Sequence, residues 1–111
     1  MSLINSSKEY FRKFSNKDLS GLEKMFSRDV SLRDWEINVQ GINQVIEANK
    51  NIFLNLKNIE INILNLYNID YTVIAEIEID INFGESKLLV IDIIEFNKLS
   101  EICSIRAFKG N

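Results

Sequence analysis

The sequence has no histidine and no proline, and only one cysteine and four glycines among its 111 residues. Without histidine, a general base must be a carboxylate, a lysine or a tyrosine, and histidine-based triads and zinc sites are excluded. The single cysteine, Cys103, excludes a disulfide within the chain and a cysteine metal site. The few glycines form no glycine-rich phosphate loop. The remaining candidates for chemistry are carboxyl and hydroxyl groups, and no metal or cofactor is expected.

Basic residues are scattered, with 13 Lys and Arg against 16 Asp and Glu, so the net charge is −3. No stripe of Lys or Arg indicates a surface for nucleic acid or anionic lipid. No apolar run is as long as a membrane-spanning helix, and the start MSLINSSKEYF lacks the pattern of a secretory signal. We expect a cytoplasmic protein that binds neither nucleic acid nor membrane.

The hydrophobic pattern changes its period halfway along the chain. Apolar residues recur every three to four positions in the first half, which predicts a helix over about 2–15, a second capped by Asp18 and a third after Gly41. The second half alternates, which predicts four strands at about 58–68, 71–82, 86–97 and 100–109. Short turns between them favour antiparallel pairing. Residues 1–111 are therefore predicted to form one α+β domain with a strongly curved sheet around the helices.

Another strand is predicted in VSLRDWEI, residues 30–37, where Val30, Leu32 and Asp34 share one face. Asp34 comes late in this strand and has two interpretations, a structural aspartate at a rim or turn, or a functional carboxylate. Tyr10 also has two interpretations, a core residue or a functional hydroxyl, and most tyrosines on the apolar face of a helix are core residues. Trp35 is interpreted as packing or as a pocket wall.

Asp92 lies in the middle of the apolar stretch LLVIDIIEF, residues 88–96. An ionised carboxylate is costly to bury, so such a group pairs with a cation, accepts hydrogen bonds or stays protonated. Arg106 decides between these states, because a hairpin brings residues 105–107 opposite Asp92. If Arg106 shares the face of Asp92, the two pair; if the register differs by one residue, Ile105 and Ala107 face Asp92 instead.

The opposite face of the same stretch carries Leu89, Ile91 and Ile93 and is apolar as well. A strand that is apolar on both faces is normally covered on both sides. The pattern therefore predicts a homodimer that forms through the outer face of the sheet.

The sequence resembles the ketosteroid isomerases and the SnoaL-like polyketide cyclases, which have the nuclear-transport-factor-2-like fold. The resemblance covers nearly the whole chain and is carried by YFRKFSNKDLSGLEKMFSRDVSLRDW, by Gly41, and by VIDIIEF followed by ICSIRAF. The isomerases have a tyrosine eight residues before an inter-helix aspartate, as Tyr10 precedes Asp18. Their catalytic aspartate follows sixteen residues later, at Asp34, and their second acid lies in a Val-Ile-Asp strand, at Asp92.

This resemblance implies a cone-shaped, cystatin-like α+β barrel with a pocket for a small apolar or carbonyl-containing molecule. It implies that Asp34 is the base that moves a proton next to a carbonyl, while Tyr10 and a protonated Asp92 donate hydrogen bonds to the enolate oxygen, the arrangement of ketosteroid isomerase. It also implies a pocket lined by Phe14, Leu32, Trp35, Phe53, Val90, Ile105, Ala107 and Lys109.

The sequence departs from the family pattern at several positions. Phe26 and Asn49 stand where the isomerases have tyrosines that support the catalytic tyrosine, and Lys109 replaces an aromatic wall at the pocket mouth. Val90 stands where the epoxide hydrolases of this fold have an arginine, and the dehydratases need a histidine that is absent. Three functions remain open: a cofactor-independent isomerase or cyclase, a binding or accessory module that does not catalyse a reaction, and a structural dimer.

Overall fold

The computed structural model describes residues 2–111, which form three helices and one six-stranded sheet. The helices are α1 (Leu3–Ser15), α2 (Leu19–Met25) and α3 (Ile42–Asn55). The strands are β1 (Phe26–Arg33), β2 (Asn38–Gln40), β3 (Ile59–Ile69), β4 (Thr72–Ile81), β5 (Ser86–Phe96) and β6 (Ile102–Lys109). The predicted α+β class with a mostly antiparallel, curved sheet is confirmed.

The strand order in the sheet is β2-β1-β6-β5-β4-β3. All neighbouring strands are antiparallel except β1 and β6, which are parallel. Register shifts leave extra residues in β1, β3 and β6. Because an extra residue in one strand bends that strand and increases its twist, these irregularities curve the sheet around the helices.

Local hydrogen bonds define the first two helices. The Ser2 hydroxyl accepts a hydrogen bond from the amide of Asn5 and caps α1. Asp18 caps α2 by accepting from the amide of Gly21 at 2.9 Å, as its position in the sequence predicts. A side chain at Gly21 would collide with the Asp18 carboxylate, so this tight cap requires glycine.

The hydrophobic core lies between the helices and the inner face of the sheet. The inward side chains of β4 and β5 alternate with outward ones, so Val73, Ala75 and Ile77 are buried, as are Val90 and Ile94. Helices α1 and α2 contribute Phe11 and Leu22 to the same cluster, and β1 contributes Val30. One end of the cone remains open and forms the cavity described below.

The predicted strand over residues 30–37 is wrong at both ends. Strand β1 already begins at Phe26, whose apolar side chain fits the face of either a helix or a strand, and it ends at Arg33. The Asp34 carboxylate accepts hydrogen bonds from the amides of Glu36 and Ile37, at 2.7 and 2.6 Å, and this turn reverses the chain into β2. Strand β2 was not predicted because three residues, Asn38–Gln40, are too few to show an alternating pattern.

None of the helices in residues 2–111 combines the length and the apolar character that crossing a bilayer requires.

Candidate functional site

A cavity of about 400 Å³ lies between α1, α3 and the inner face of the sheet. This volume is in the usual range for small-molecule sites, which are mostly apolar with a few polar groups. The walls are formed mainly by aliphatic side chains from α3 and from strands β3 to β6. Its side chains with oxygen-bearing polar groups are Tyr10, Asp34, Glu36, Asn49 and Asp92.

Asp92 lies in the middle of β5 with its side chain on the inner face. Its partners on the neighbouring strands are Ala75 of β4 and Ala107 of β6, and these small side chains leave room for the carboxyl group beside the cavity. Asp92 is 7% exposed. Burial raises the pKa of Asp92 to about 7, with the negative charge of Asp34 as the second cause. A large fraction of Asp92 is therefore protonated at neutral pH.

The strand register keeps Arg106 away from Asp92. Arg106 is paired with Ile93, one position along from Asp92, so its side chain lies on the outer face of the sheet. There it binds Glu95 and Ser104. Of the two registers that the sequence left open, the structure has the one in which Ala107 lies opposite Asp92. No residue of the described chain forms a salt bridge or a side-chain hydrogen bond with Asp92, so the alternative of a paired acid is not realised in residues 2–111.

Tyr10 projects from α1 into the same cavity and is 4% exposed. Its ring packs at a tilt against Phe11, Phe14 and Phe26, with centroids 5.2, 6.0 and 6.3 Å away. Burial raises the pKa of Tyr10 well above its usual value of 10, and the charge of Asp92 adds to the shift. The phenol is therefore protonated at every pH near neutrality and can donate a hydrogen bond to a ligand.

Asp34 is half-buried at the end of β1 and also lines the cavity. Its Oδ1 atom accepts both turn hydrogen bonds, from Glu36 and Ile37. These bonds fix the orientation of the carboxylate. The second oxygen, Oδ2, forms no hydrogen bond with residues 2–111 and is available to accept a proton. The turn interpretation and the functional interpretation of Asp34 are thus compatible.

The structure brings Tyr10, Asp34 and Asp92 together in one cavity. Six of the predicted wall residues line it with them, namely Phe14, Leu32, Trp35, Val90, Ile105 and Ala107. Two predicted wall residues, Phe53 and Lys109, do not. Phe53 is buried in the core and packs edge-on against Phe14, at 4.8 Å between ring centroids. Lys109 is exposed, and its ammonium nitrogen lies 5.6 Å from the centroid of the Trp35 ring without lining the cavity itself.

The sequence interpretation missed two polar wall residues, Glu36 and Asn49. Asn49 projects from α3 and is 2% exposed, and its position in the apolar stripe Val45-Asn49-Ile52 was the available signal. The sequence around Glu36 contains no comparable signal, because Glu36 reaches the cavity only through the turn that Asp34 forms. Residues 2–111 contain no cluster of three or more His, Cys, Asp or Glu side chains that could hold a metal ion.

Solved structures of other proteins share this architecture. A candidate SnoaL-like polyketide cyclase from Shewanella denitrificans aligns with a TM-score of 0.86 at 13% identity, over 97% of this chain and 90% of the other. A nuclear-transport-factor-2-like protein of unknown function from Cytophaga hutchinsonii aligns with a TM-score of 0.83 at 10% identity, over 99% of this chain and 91% of the other. A candidate ketosteroid isomerase from Kribbella flavida aligns with a TM-score of 0.78 at 10% identity, over 95% of this chain and 75% of the other.

The chain therefore has the nuclear-transport-factor-2-like fold, as its resemblance to ketosteroid isomerases and SnoaL-like cyclases implies. No family model matches the sequence. No curated protein matches it either. At identities of 10 to 13% these similarities show the fold, and the chemistry must be argued from the cavity itself.

Proposed function

We propose that this protein binds a small, mostly apolar ketone and moves a proton from the carbon next to its carbonyl group to a more distant carbon of the same allylic system, as a ketosteroid-isomerase-like enzyme. The observation that carries the proposal is that one apolar cavity is lined by two buried residues that can donate through a hydroxyl group, Tyr10 and Asp92, together with the carboxyl group of Asp34. A base beside a pair of donors is what enolate formation needs.

In the proposed reaction, Asp34 removes a proton from the carbon between the carbonyl and the double bond of a β,γ-unsaturated ketone. The C–H electrons form the dienolate, whose oxygen accepts hydrogen bonds from Tyr10 and Asp92. Asp34 then returns the proton to the γ-carbon, and the double bond moves into conjugation with the carbonyl. The reaction needs no oxidant, reductant or cofactor, since the proton that leaves one carbon is returned to another.

The burial of the two donors supports this role. Both residues are more than nine-tenths buried, and neither hydroxyl is occupied by a hydrogen bond within the described residues. Donors fixed in a cavity of low polarity stabilise a developing negative charge more strongly than water does. The carboxyl group of Asp92 is a donor only while it is protonated, and burial favours that form.

A second candidate is a binding or accessory module of the same fold that does not catalyse a reaction. The observation in its favour is the environment of the Tyr10 hydroxyl. Phe26 packs against the Tyr10 ring, and Asn49 forms no hydrogen bond with Tyr10, so no neighbour in residues 2–111 orients the phenol. A donor that is held less firmly contributes less to the rate.

The test is conversion of a β,γ-unsaturated cyclic ketone to its conjugated isomer, followed by ultraviolet absorbance. We expect Asp34→Asn to lower kcat by about 10²–10⁴-fold, because a general base contributes on this order. Tyr10→Phe should lower kcat by about 10²–10³-fold, because it removes one donor to the oxyanion. Asp70→Asn is the control, since Asp70 is an exposed aspartate in the β3–β4 turn whose positive φ suits asparagine.

Three outcomes distinguish the candidates. Activity that depends on Asp34 and Tyr10 but not on Asp70 supports the isomerase. Saturable binding of the ketone without conversion, in the unmodified protein and in all variants, supports the binding module. Conversion that is unchanged in Asp34→Asn would overturn the proposed mechanism.

A further inference from the structure

Asn49 is a buried polar residue of the cavity that the proposed reaction does not use. It is 2% exposed and lines the cavity from α3, and its amide nitrogen Nδ2 has no hydrogen-bond partner in the described residues. Native proteins rarely keep a buried donor unsatisfied, so such a group calls for a physical explanation.

Packing does not explain the choice of asparagine at this position. The other α3 side chains on this side of the helix, Val45 and Ile52, are apolar, and so is Leu56 just beyond the helix. A leucine at position 49 would have a similar size and would complete the apolar stripe without an unsatisfied donor. The carboxamide therefore costs stability unless its donor is satisfied, and a ligand can supply the acceptor.

Asn49 is also separate from the Tyr10–Asp92 pair. It forms no hydrogen bond with either side chain, and the pKa shifts of both arise from burial and from carboxylates alone. In the proposed reaction Tyr10 and Asp92 already supply two donors to the enolate oxygen, so the amide of Asn49 remains available for a different oxygen of the ligand. The cavity has a second polar contact point, on a different element of the fold.

The charges of the cavity restrict the ligand further. Three carboxyl groups, those of Asp34, Glu36 and Asp92, line it, and no lysine or arginine among residues 2–111 does. A carboxylate or phosphate on the ligand would meet the carboxylates of Asp34 and Glu36 in a site of low polarity, which is unfavourable, while protonated Asp92 adds no compensating positive charge. A neutral ligand avoids this repulsion.

We propose that the ligand is a neutral apolar ketone with a second oxygen, a hydroxyl or another carbonyl, which accepts a hydrogen bond from the side-chain amide of Asn49. This inference builds on the proposed function by defining its substrate class. The amide turns about χ2 to reach the ligand, a rotation with a broad energy minimum in asparagine. Ligands that lack the second oxygen leave the amide unsatisfied and bind less tightly.

The experiment compares 2-naphthol with naphthalenediols that carry a second hydroxyl on the other ring. These molecules have the planar oxygen of an enolate and are neutral when protonated. We expect at least one diol to bind the unmodified protein about tenfold more tightly than 2-naphthol, as measured by calorimetry, because one additional neutral hydrogen bond is made. In Asn49→Leu the ratio of the two dissociation constants should fall to about one. Asn51→Leu, at an exposed position on the same helix, is the matched control and should keep the ratio.

A second measurement uses the unmodified protein and therefore does not depend on whether Asn49→Leu folds. The side-chain NH₂ resonances of Asn49 in the ¹⁵N spectrum should shift when the diol binds and move much less with 2-naphthol. A diol that gains nothing over 2-naphthol, or a gain that persists in Asn49→Leu, would overturn the inference. If the ketone is not isomerised but the ratio of dissociation constants depends on Asn49, the contact with Asn49 is supported and the proposed reaction is contradicted. If the ketone is isomerised but the ratio does not depend on Asn49, only the role of Asn49 is contradicted.

Discussion

At the scale of single residues, the state of Asp92 depends on which atoms surround it. Alanines on both neighbouring strands leave the carboxyl group beside the cavity without a partner in the described chain, while the nearest arginine binds Glu95 on the other face. The pKa of Asp92 near 7 follows from this burial and from the charge of Asp34. Two measurable pH effects follow, one on the reaction and one on stability.

The proposed reaction should become slower as the pH rises through about 7, because the donor form of Asp92 is lost as its carboxyl group ionises. Above that pH, kcat should fall by up to about tenfold per pH unit until other donors dominate. Asp92→Asn keeps an N–H donor that does not titrate, so its pH profile should be flat in this range. The measurement is kcat from pH 5 to 9 in both proteins. A decline that persists unchanged in Asp92→Asn would assign it to another group.

The stability effect has the opposite sign from that of a salt-bridged aspartate, whose pKa is lowered in the folded chain. The pKa of Asp92 is raised from 3.8 to about 7, so between these values the folded chain binds more protons than the unfolded chain. The free energy of unfolding therefore falls as pH rises from about 4 to 7 and is level above that range. Asp92→Asn should remove this decrease in the free energy of unfolding. Because one pKa unit corresponds to about 1.4 kcal/mol, the variant should be more stable at pH 8 by at most about 4 kcal/mol.

Urea denaturation at pH 4.5 and pH 8 measures this difference. The advantage of Asp92→Asn should be small at pH 4.5 and largest at pH 8. The exposed Asp70→Asn should show no such dependence. Equal effects of Asp92→Asn at both pH values would contradict a buried, uncharged Asp92.

At the scale of elements, the connection between α1 and α2 secures the end of α3. Lys17 has a positive φ of 55° in this connection, and its ammonium group donates hydrogen bonds to the carbonyls of Phe53, at 3.0 Å, and Leu56. The last carbonyls of a helix have no partner within the helix, and they carry the negative end of its dipole. A single cation thus satisfies several acceptors and ties α3, which carries Asn49, to the first two helices.

We expect Lys17→Met to lower the free energy of unfolding by about 1.5–3 kcal/mol, the usual range for hydrogen bonds to a charged group. Methionine keeps most of the aliphatic length and leaves the backbone preference at φ 55° largely unchanged. Thermal denaturation at neutral pH is the measurement. Lys50→Met, at an exposed position on α3, is the control and should change stability by less than about 0.5 kcal/mol. A loss of the same size in both variants would show that charge alone, not the carbonyl contacts, is responsible.

At the scale of the whole molecule, the outer face of the sheet exposes large apolar side chains among charged ones. Leu89 and Ile91 of β5 are 46% and 37% exposed, and Phe108 of β6, which is paired with Ile91, is 48% exposed. Exposed apolar side chains on neighbouring strands favour association. The homodimer through this face stays a prediction.

The predicted dimer can be tested by sedimentation equilibrium. Leu89→Lys should shift the protein to the monomer, since it places a charge in the centre of the apolar face. Leu99→Lys is the control, because Leu99 is 79% exposed in the β5–β6 turn, away from that face. A monomer at all accessible concentrations in the unmodified protein would contradict the prediction.

The sequence by itself determined the class of the fold and the unusual character of Asp92. Hydrophobic periodicity is a local property, so it predicted the helices and the long strands, and the acid in the centre of LLVIDIIEF stands out against its apolar neighbours in the sequence alone. Resemblance to the isomerases added Tyr10 and Asp34, which periodicity does not distinguish from a core tyrosine and a turn aspartate.

Only the tertiary structure decided which side chains share the cavity. The register between β5 and β6 separates Asp92 from Arg106 by one position, and a shift by one residue would have paired them. The turn at Asp34 brings Glu36 to the cavity, and the packing of α3 against β1 brings Asn49 there. These outcomes depend on contacts between residues far apart in the chain, so local sequence patterns carry little information about them.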